Sequence, residues 1–201
     1  MAAKRTTFTE QARRTQLVEV TIDLVARHGY AGTSLQRIAD AAGITKAAVI
    51  YHFASKNAVI KAAYDFVVAG VVEYVGARVE AAADPAGAVE AYLTGMIDYV
   101  AAHPAQARLL TETMIESGAS EAAGNPDPSA KNAALVTLIK SAQRSGAYRK
   151  NLDPDWLATI LGGAADGIAA RFLTDDPAPD PAAATAELLA LLRRGATTEL
   201  R

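Results

Sequence analysis

The 201-residue sequence contains no cysteine, which excludes disulfides, thiolate metal sites and cysteine nucleophiles. It has only three histidines, His28, His52 and His103, and none is paired at the i, i+4 spacing that puts two imidazoles on one helix face for a metal. A Gly-x-Ser-x-Gly elbow, a phosphate loop and a dinucleotide fingerprint are all missing. The adjacent acids Asp175 and Asp176 precede a proline, which suits a turn better than acid–base chemistry. These absences argue against an enzyme, and no catalytic residue, metal ligand or cofactor is expected. Long hydrophobic runs are missing too. The run 66–72 is far too short to span a bilayer, and no apolar stretch precedes residue 17. Neither a membrane partner nor a secretory leader is expected, and the default is a soluble, cytoplasmic protein.

What is present is helix. Hydrophobic residues make up 51% of the chain, enough for a sizeable core. Alternating strand patterns are scarce, and alanine and leucine dominate. Helices are predicted over about 9–28, 33–42, 46–53, 55–83, 86–102, 104–117, 129–145, 154–173 and 181–194. The Asp84-Pro85, Asp153-Pro154 and Asp180-Pro181 pairs punctuate this series, two of them as an N-cap followed by a first-turn proline. Residues 118–128 hold two glycines and two prolines and are expected to form a loop. The fold class is all-α with about nine helices.

The richest stretch runs from Gly29 to Lys56. Thr33 and Gln36 are spaced as a capping box, and Leu35, Ile38, Ala39 and Ala42 follow at helical spacing. Gly43 suits a left-handed helix stop, and Thr45 can cap a second helix a few residues later. Two helices joined this tightly describe a helix-turn-helix, whose second member can enter the DNA major groove. On that helix Val49, Ile50 and Phe53 are expected on the core side, and Ala47, Ala48, Tyr51 and His52 on the other. Alanine methyls allow close approach to bases, and Lys46 can reach guanine or a phosphate. Charge agrees with a nucleic-acid end: residues 1–61 carry nine Lys/Arg against four Asp/Glu, a net +5, while the remainder carries a net −7.

This stretch resembles the DNA-binding domain of the tetracycline repressor (TetR) family of bacterial regulators. Gly29, Thr33, Ser34, Ile38, Ala39, Ala42, Gly43, His52, Phe53, Ser55 and Lys56 match the family pattern. One departure is visible. Family members commonly carry a phosphate-holding tyrosine where this chain has Ile50, with Tyr51 one position on. The resemblance implies a three-helix DNA-binding domain over 1–54 and a helical effector-binding and dimerisation domain over 55–201. DNA contacts are expected from Thr33, Ser34, Gln36, Arg37, Thr45, Lys46, Ala47, Ala48, Tyr51, His52 and Lys56. Arg37, Lys56 and the arginines of the first helix would neutralise phosphates.

Two further patterns bear on partners. The last two helices combine apolar residues with many glycines and alanines, which lets another helix approach closely. In TetR-like proteins the corresponding pair builds a four-helix bundle with a second copy. A homodimer interface is therefore expected at Trp156, Ile160, Ala164, Ala165, Ile168, Leu188, Leu189 and Leu192. Tyr92, Met96 and Tyr99 share one predicted helix face, an arrangement that more often packs a core than cages a ligand. Its functional version is a small-molecule effector site with Phe66, Tyr92, Met96, Tyr99 and Met114 as apolar lining and Glu112, Thr113 and Asn132 as polar handles. The reading is a sequence-specific regulator of a palindromic operator, most simply a repressor released by a largely apolar ligand. Alternatives are a ligand-requiring or activating regulator of the same fold, and a DNA-binding scaffold whose body binds another protein.

Overall fold

In the computed structural model, residues 8–119 and 128–198 are described. They form nine helices, α1 (Phe8–Gly32), α2 (Leu35–Ala42), α3 (Lys46–His52), α4 (Lys56–Glu80), α5 (Pro85–Ala102), α6 (Pro104–Ala119), α7 (Pro128–Arg144), α8 (Pro154–Thr174) and α9 (Pro181–Ala196). Among the described residues the one β-type pairing is an isolated antiparallel bridge between Tyr148 and Thr197. The predicted loop 118–128 falls mostly on 120–127, outside the described residues.

Local chemistry explains the helix starts. Asp84 accepts the Gly87 amide at 2.7 Å, Asp153 those of Asp155 and Trp156 at 2.9 and 3.1 Å, and Asp180 that of Ala182 at 3.0 Å. Each satisfies amides that the first helical turn leaves without a partner. The proline that follows gives up no hydrogen bond there. The structure corrects the capping box. Ser34, not Thr33, is the N-cap of α2, accepting the Arg37 amide at 3.2 Å. Thr33 is buried and its hydroxyl donates to the Gly29 carbonyl at 2.9 Å, while the Gln36 amide donates to Asp40 at 2.7 Å. The reason lies at Gly29. Its φ of 70° and ψ of 173° break α1 there, and the predicted stop at residue 28 becomes a kink followed by one more turn. That kink presents a carbonyl, which Thr33 satisfies.

The described helices form two compact units. The first contains α1, α2, α3, α4 as far as Ala69, and α6 from Ala105, so it takes in more than segment 1–54. Its core includes Leu17, Val25, Ile38, Val49, Val59 and Leu109, all fully buried. The second contains the rest of α4 with α5, α7, α8 and α9. Leu93, Ile97, Leu135, Ile139, Leu161 and Leu192 form its core. Truncating such a leucine or isoleucine to alanine typically costs about 2–5 kcal/mol. Arg193 pairs with Glu90 from 103 residues away, at 2.7 and 2.5 Å.

Candidate nucleic-acid interface

The site is built on α2, a three-residue turn and α3. Gly43 closes α2 in the left-handed region at φ 66°, ψ 33°, and its amide donates to Asp40. The Ile44 amide donates to the Ala39 carbonyl at 3.0 Å, so the last carbonyls of α2 are satisfied in the manner of a glycine stop. Thr45 then caps α3, accepting the Ala48 amide at 3.2 Å. Val49 and the flanking Phe53 are buried, as expected, and seat α3 on its unit. Arg14 of α1 holds the other end. Its guanidinium donates to the His52 carbonyl and lies 4.1 Å from the centre of the Phe53 ring. A cation at a helix C-terminus is favoured by the helix dipole. This arginine clamps α3 in addition to whatever charge it offers a phosphate.

The exposed face of α3 differs from the expected one. Ile50, placed in the core from the sequence, is 45% exposed, and Tyr51 is 67% exposed. Lys46 and Ala47 are exposed beside them, whereas Ala48 and His52 are half-buried. His52 Nδ1 is buried and has no hydrogen-bond partner among the described residues, and the ring meets Tyr51 edge-on at 5.0 Å. The exposed face is thus Lys46, Ala47, Ile50 and Tyr51. Packing against the unit, not the hydrophobicity of single residues, fixes the rotation of this two-turn helix.

The remaining predicted DNA contacts divide in the same way. Ser34, Gln36, Arg37 and Thr45 are exposed around the start of α2 and α3. Arg37 also donates to the Gly32 carbonyl at 2.5 Å. Thr33 is buried, so its hydroxyl is not available to DNA. Lys56 is half-buried, with its ammonium 4.3 Å from the centre of the Tyr30 ring. Burial lowers the Lys56 pKa, and Glu116 opposes that shift. Tyr30 is itself fixed by its hydroxyl, which donates to Asn57 at 2.7 Å, and by its amide, which donates to Glu112 at 3.2 Å. No sequence pattern pointed to that last contact, which joins residues 82 apart.

The expected effector residues fall into both units. In the first, Phe66 and Met114 are exposed, Thr113 is buried with its hydroxyl donating to Leu109, and Glu112 accepts from the Tyr30 amide. In the second, the Tyr92–Met96–Tyr99 stripe does not face one neighbour. Tyr92 packs against the core of the unit, and burial together with Asp166 raises its pKa. Tyr99 instead meets Tyr74 of α4 at 5.4 Å and His103 at 4.6 Å between ring centres. Its hydroxyl lies 2.9 Å from where a Cβ on Gly70 would sit, so a larger residue there would require the tyrosine to shift. Gly70, Glu73, Tyr74, Ala77, Arg78 and Tyr99 line an open cleft of about 370 Å³. No sequence pattern singled out this cleft, although Gly70, Tyr74 and Arg78 recur at i, i+4, i+8 on one face of α4. Asn132 faces Gly162, its Oδ1 3.5 Å from a Cβ placed there.

The expected dimer residues also separate. Trp156 and Ile160 are exposed, at 69% and 64%, and Ala164, Ile168 and Leu189 are half-buried. Ala165, Leu188 and Leu192 are corrected: they lie in the core of their own unit, α8 packing on α5 and α7, and α9 on α5 and α8. Leu191, on the same helix as Leu188, Leu189 and Leu192, is exposed.

Comparison with known proteins agrees with this geometry. Residues 17–63 match the family described as "Bacterial regulatory proteins, tetR family", and residues 88–197 match "Tetracyclin repressor-like, C-terminal domain". The chain is 29% identical over 185 residues to the "Probable acrEF/envCD operon repressor" of Escherichia coli (strain K12), covering 85% of this chain and 80% of that protein. The fold resembles that of the fatty acid degradation regulator FadR from Bacillus halodurans, with a TM-score of 0.81 at 18% identity, covering 91% of this chain and 95% of that one. A transcriptional regulator from Saccharomonospora viridis, solved in complex with choline, gives a TM-score of 0.77 at 21% identity and covers 94% of this chain and 100% of that one.

Proposed function

Because this chain belongs to the TetR family and is a DNA-binding transcriptional regulator, we propose that it is a homodimeric repressor, released from a palindromic operator by a small, largely apolar molecule. The observation that carries the reading is α3: capped by Thr45, clamped by Arg14, and exposing Lys46, Ala47, Ile50 and Tyr51. In the major groove Lys46 reads guanine O6/N7 or takes a phosphate, and Tyr51 adds a hydroxyl. Ser34, Gln36, Arg37, Thr45 and Lys56 hold the backbone and set the register.

A helix of two turns reads few base pairs, so high specificity calls for two copies on a symmetric site. The uncovered side of α8 supports that arrangement. Trp156, Ile160, Gly163, Gly167 and Ala170 are exposed and recur at alternating steps of four and three residues, along one stripe. Leu191 of α9 adds to the apolar surface. By length and composition α8 is also apolar enough to cross a bilayer, with 22% of the segment buried. Asp166 near its middle and Arg171 disfavour lipid there, and a second copy of the chain covers the stripe instead. A cytoplasmic location follows from this reading.

The effector contacts are assigned to the C-terminal unit, with the half-buried Tyr92 and Met96 and the buried Tyr99 as apolar lining and Asn132 as a polar handle. The open cleft beside Tyr74 and Tyr99 lies within the usual size range of ligand sites. Phe66 and Met114 are exposed in the other unit. The polar groups of Glu112 and Thr113 are engaged by backbone. A ligand lowers DNA affinity only through its differential affinity for the two states. The test is footprinting on the flanking DNA, repeated with candidate ligands. Protection of a palindrome that one ligand abolishes is the expected result. Protection that needs the ligand marks a ligand-requiring regulator, and indifference to every ligand marks a scaffold.

A further inference from the structure

We infer that Ile50 reads DNA directly, its side chain meeting the 5-methyl group of a thymine in the major groove. The inference rests on the DNA-reading role of α3. At 100° per residue, the four exposed residues of α3 occupy an arc of about 140°, with Ile50 and Ala47 nearest its centre and Lys46 and Tyr51 at its edges. A single exposed isoleucine is unremarkable on an ordinary surface. This one stands in the middle of the face that meets the bases, and at 45% exposure its own unit leaves it half uncovered.

The chemistry of the groove then selects the target. Every base presents hydrogen-bonding groups there, thymine its O4, but guanine, adenine and cytosine offer an aliphatic side chain no methyl group to cover in return. Thymine alone offers a methyl group, which an aliphatic side chain covers favourably. Branching at Cβ restricts Ile50 to few rotamers in a helix, so little freedom is lost on docking. Ala47, the other central residue, is shorter, so of the two Ile50 reaches further into the groove. The polar edge residues Lys46 and Tyr51 fix the depth at which it sits.

The experiment uses the full-length protein. A binding site is selected from random duplex DNA with wild-type protein. Each thymine in it is then replaced in turn by uracil, which lacks the 5-methyl group, and Kd is measured for wild type, Ile50→Ala and Ile50→Val. Wild type should lose about fourfold at a particular thymine, the factor that corresponds to about 0.8 kcal/mol for one buried carbon group. Ile50→Ala should show no uracil effect at that thymine while keeping any effect elsewhere. Ile50→Val, which retains the branch, should keep most of it, and it carries the test should the alanine variant unfold. A uracil profile identical in wild type and in both variants overturns the inference, as does a wild type indifferent to uracil everywhere. Failure of wild type to select any sequence would overturn the DNA-reading role of α3 together with it, and so is distinguishable.

Discussion

The carboxylate of Glu112 accepts the backbone amide of Tyr30 at 3.2 Å, next to the kink in α1 at Gly29. The same oxygen lies 3.2 Å from where a Cβ on Gly29 would be. Position 29 therefore favours glycine twice, for a backbone conformation reserved almost entirely to it and for the close approach of Glu112. Gly29→Ala should destabilise the protein by about 1–3 kcal/mol. Glu112→Ala, which leaves the amide without its partner, should cost about 1–2 kcal/mol, and Glu112→Gln, which keeps an acceptor oxygen, should cost less. Urea unfolding of the three variants checks this. Equal losses for Glu112→Ala and Glu112→Gln would mean that the hydrogen bond contributes nothing.

A second prediction concerns alkaline stability. Tyr148 is 2% exposed, its hydroxyl has no hydrogen-bond partner among the described residues, and burial raises its pKa strongly, with Glu90 adding to the shift. Burial also raises the pKa of Tyr30, Tyr64, Tyr92 and Tyr99. Because the unfolded phenol ionises first, near pH 10, the unfolded state binds fewer protons than the folded one above that pH. Stability is then fully present below pH 10 and falls as pH rises beyond it. Tyr148→Phe should be nearly neutral or slightly stabilising at pH 7 and should flatten that fall. Thermal melts from pH 7 to 11 decide it; an unchanged alkaline slope in Tyr148→Phe would contradict the assignment.

These contacts also mark where the sequence stopped being informative. The starts of α8 and α9 were legible because an Asp-Pro pair carries its own chemistry, a side-chain acceptor beside a residue that has no amide to satisfy, whereas Asp84-Pro85, read as a helix stop, also caps α5. The turn at Gly43 was legible for a similar local reason. The choice between Thr33 and Ser34 as cap was not, since both hydroxyls are competent and the decision falls to the carbonyl exposed by the Gly29 kink. Nor was the rotation of α3. With seven residues, each face is sampled only once or twice, and Ile50 outscored His52 as a core residue although packing buries the imidazole nitrogen and leaves the isoleucine out. Tyr92 and Tyr99 share a helical register yet pack on different neighbours, a distinction that only the partner helices can make. The pairings Tyr30–Glu112 and Arg193–Glu90 join residues 82 and 103 apart and leave no local trace.

The third prediction addresses assembly. Ile160→Glu and Trp156→Asp place a charge on the uncovered stripe of α8 without entering the core of the unit. Both variants should stay folded and sediment as monomers, with weak binding to a palindrome. Ala165→Glu should instead unfold the protein, because Ala165 is buried within its own unit. Wild-type protein sedimenting as a monomer at micromolar concentration would rule out the dimer.

Two lysines provide the fourth prediction and the most direct measurement, because they separate reading from holding. Lys46 is exposed on α3, and Lys56 sits at the start of α4 beside Tyr30. The measurement is the Kd of wild type, Lys46→Ala and Lys56→Ala for the footprinted operator and for random duplex DNA across a range of salt. Lys46→Ala should lose about 1–3 kcal/mol on the operator alone, as expected for a lost base contact. Lys56→Ala should weaken both DNAs alike and reduce the salt slope by about one. If Lys46→Ala binds the operator as wild type does, α3 is not the helix that reads it.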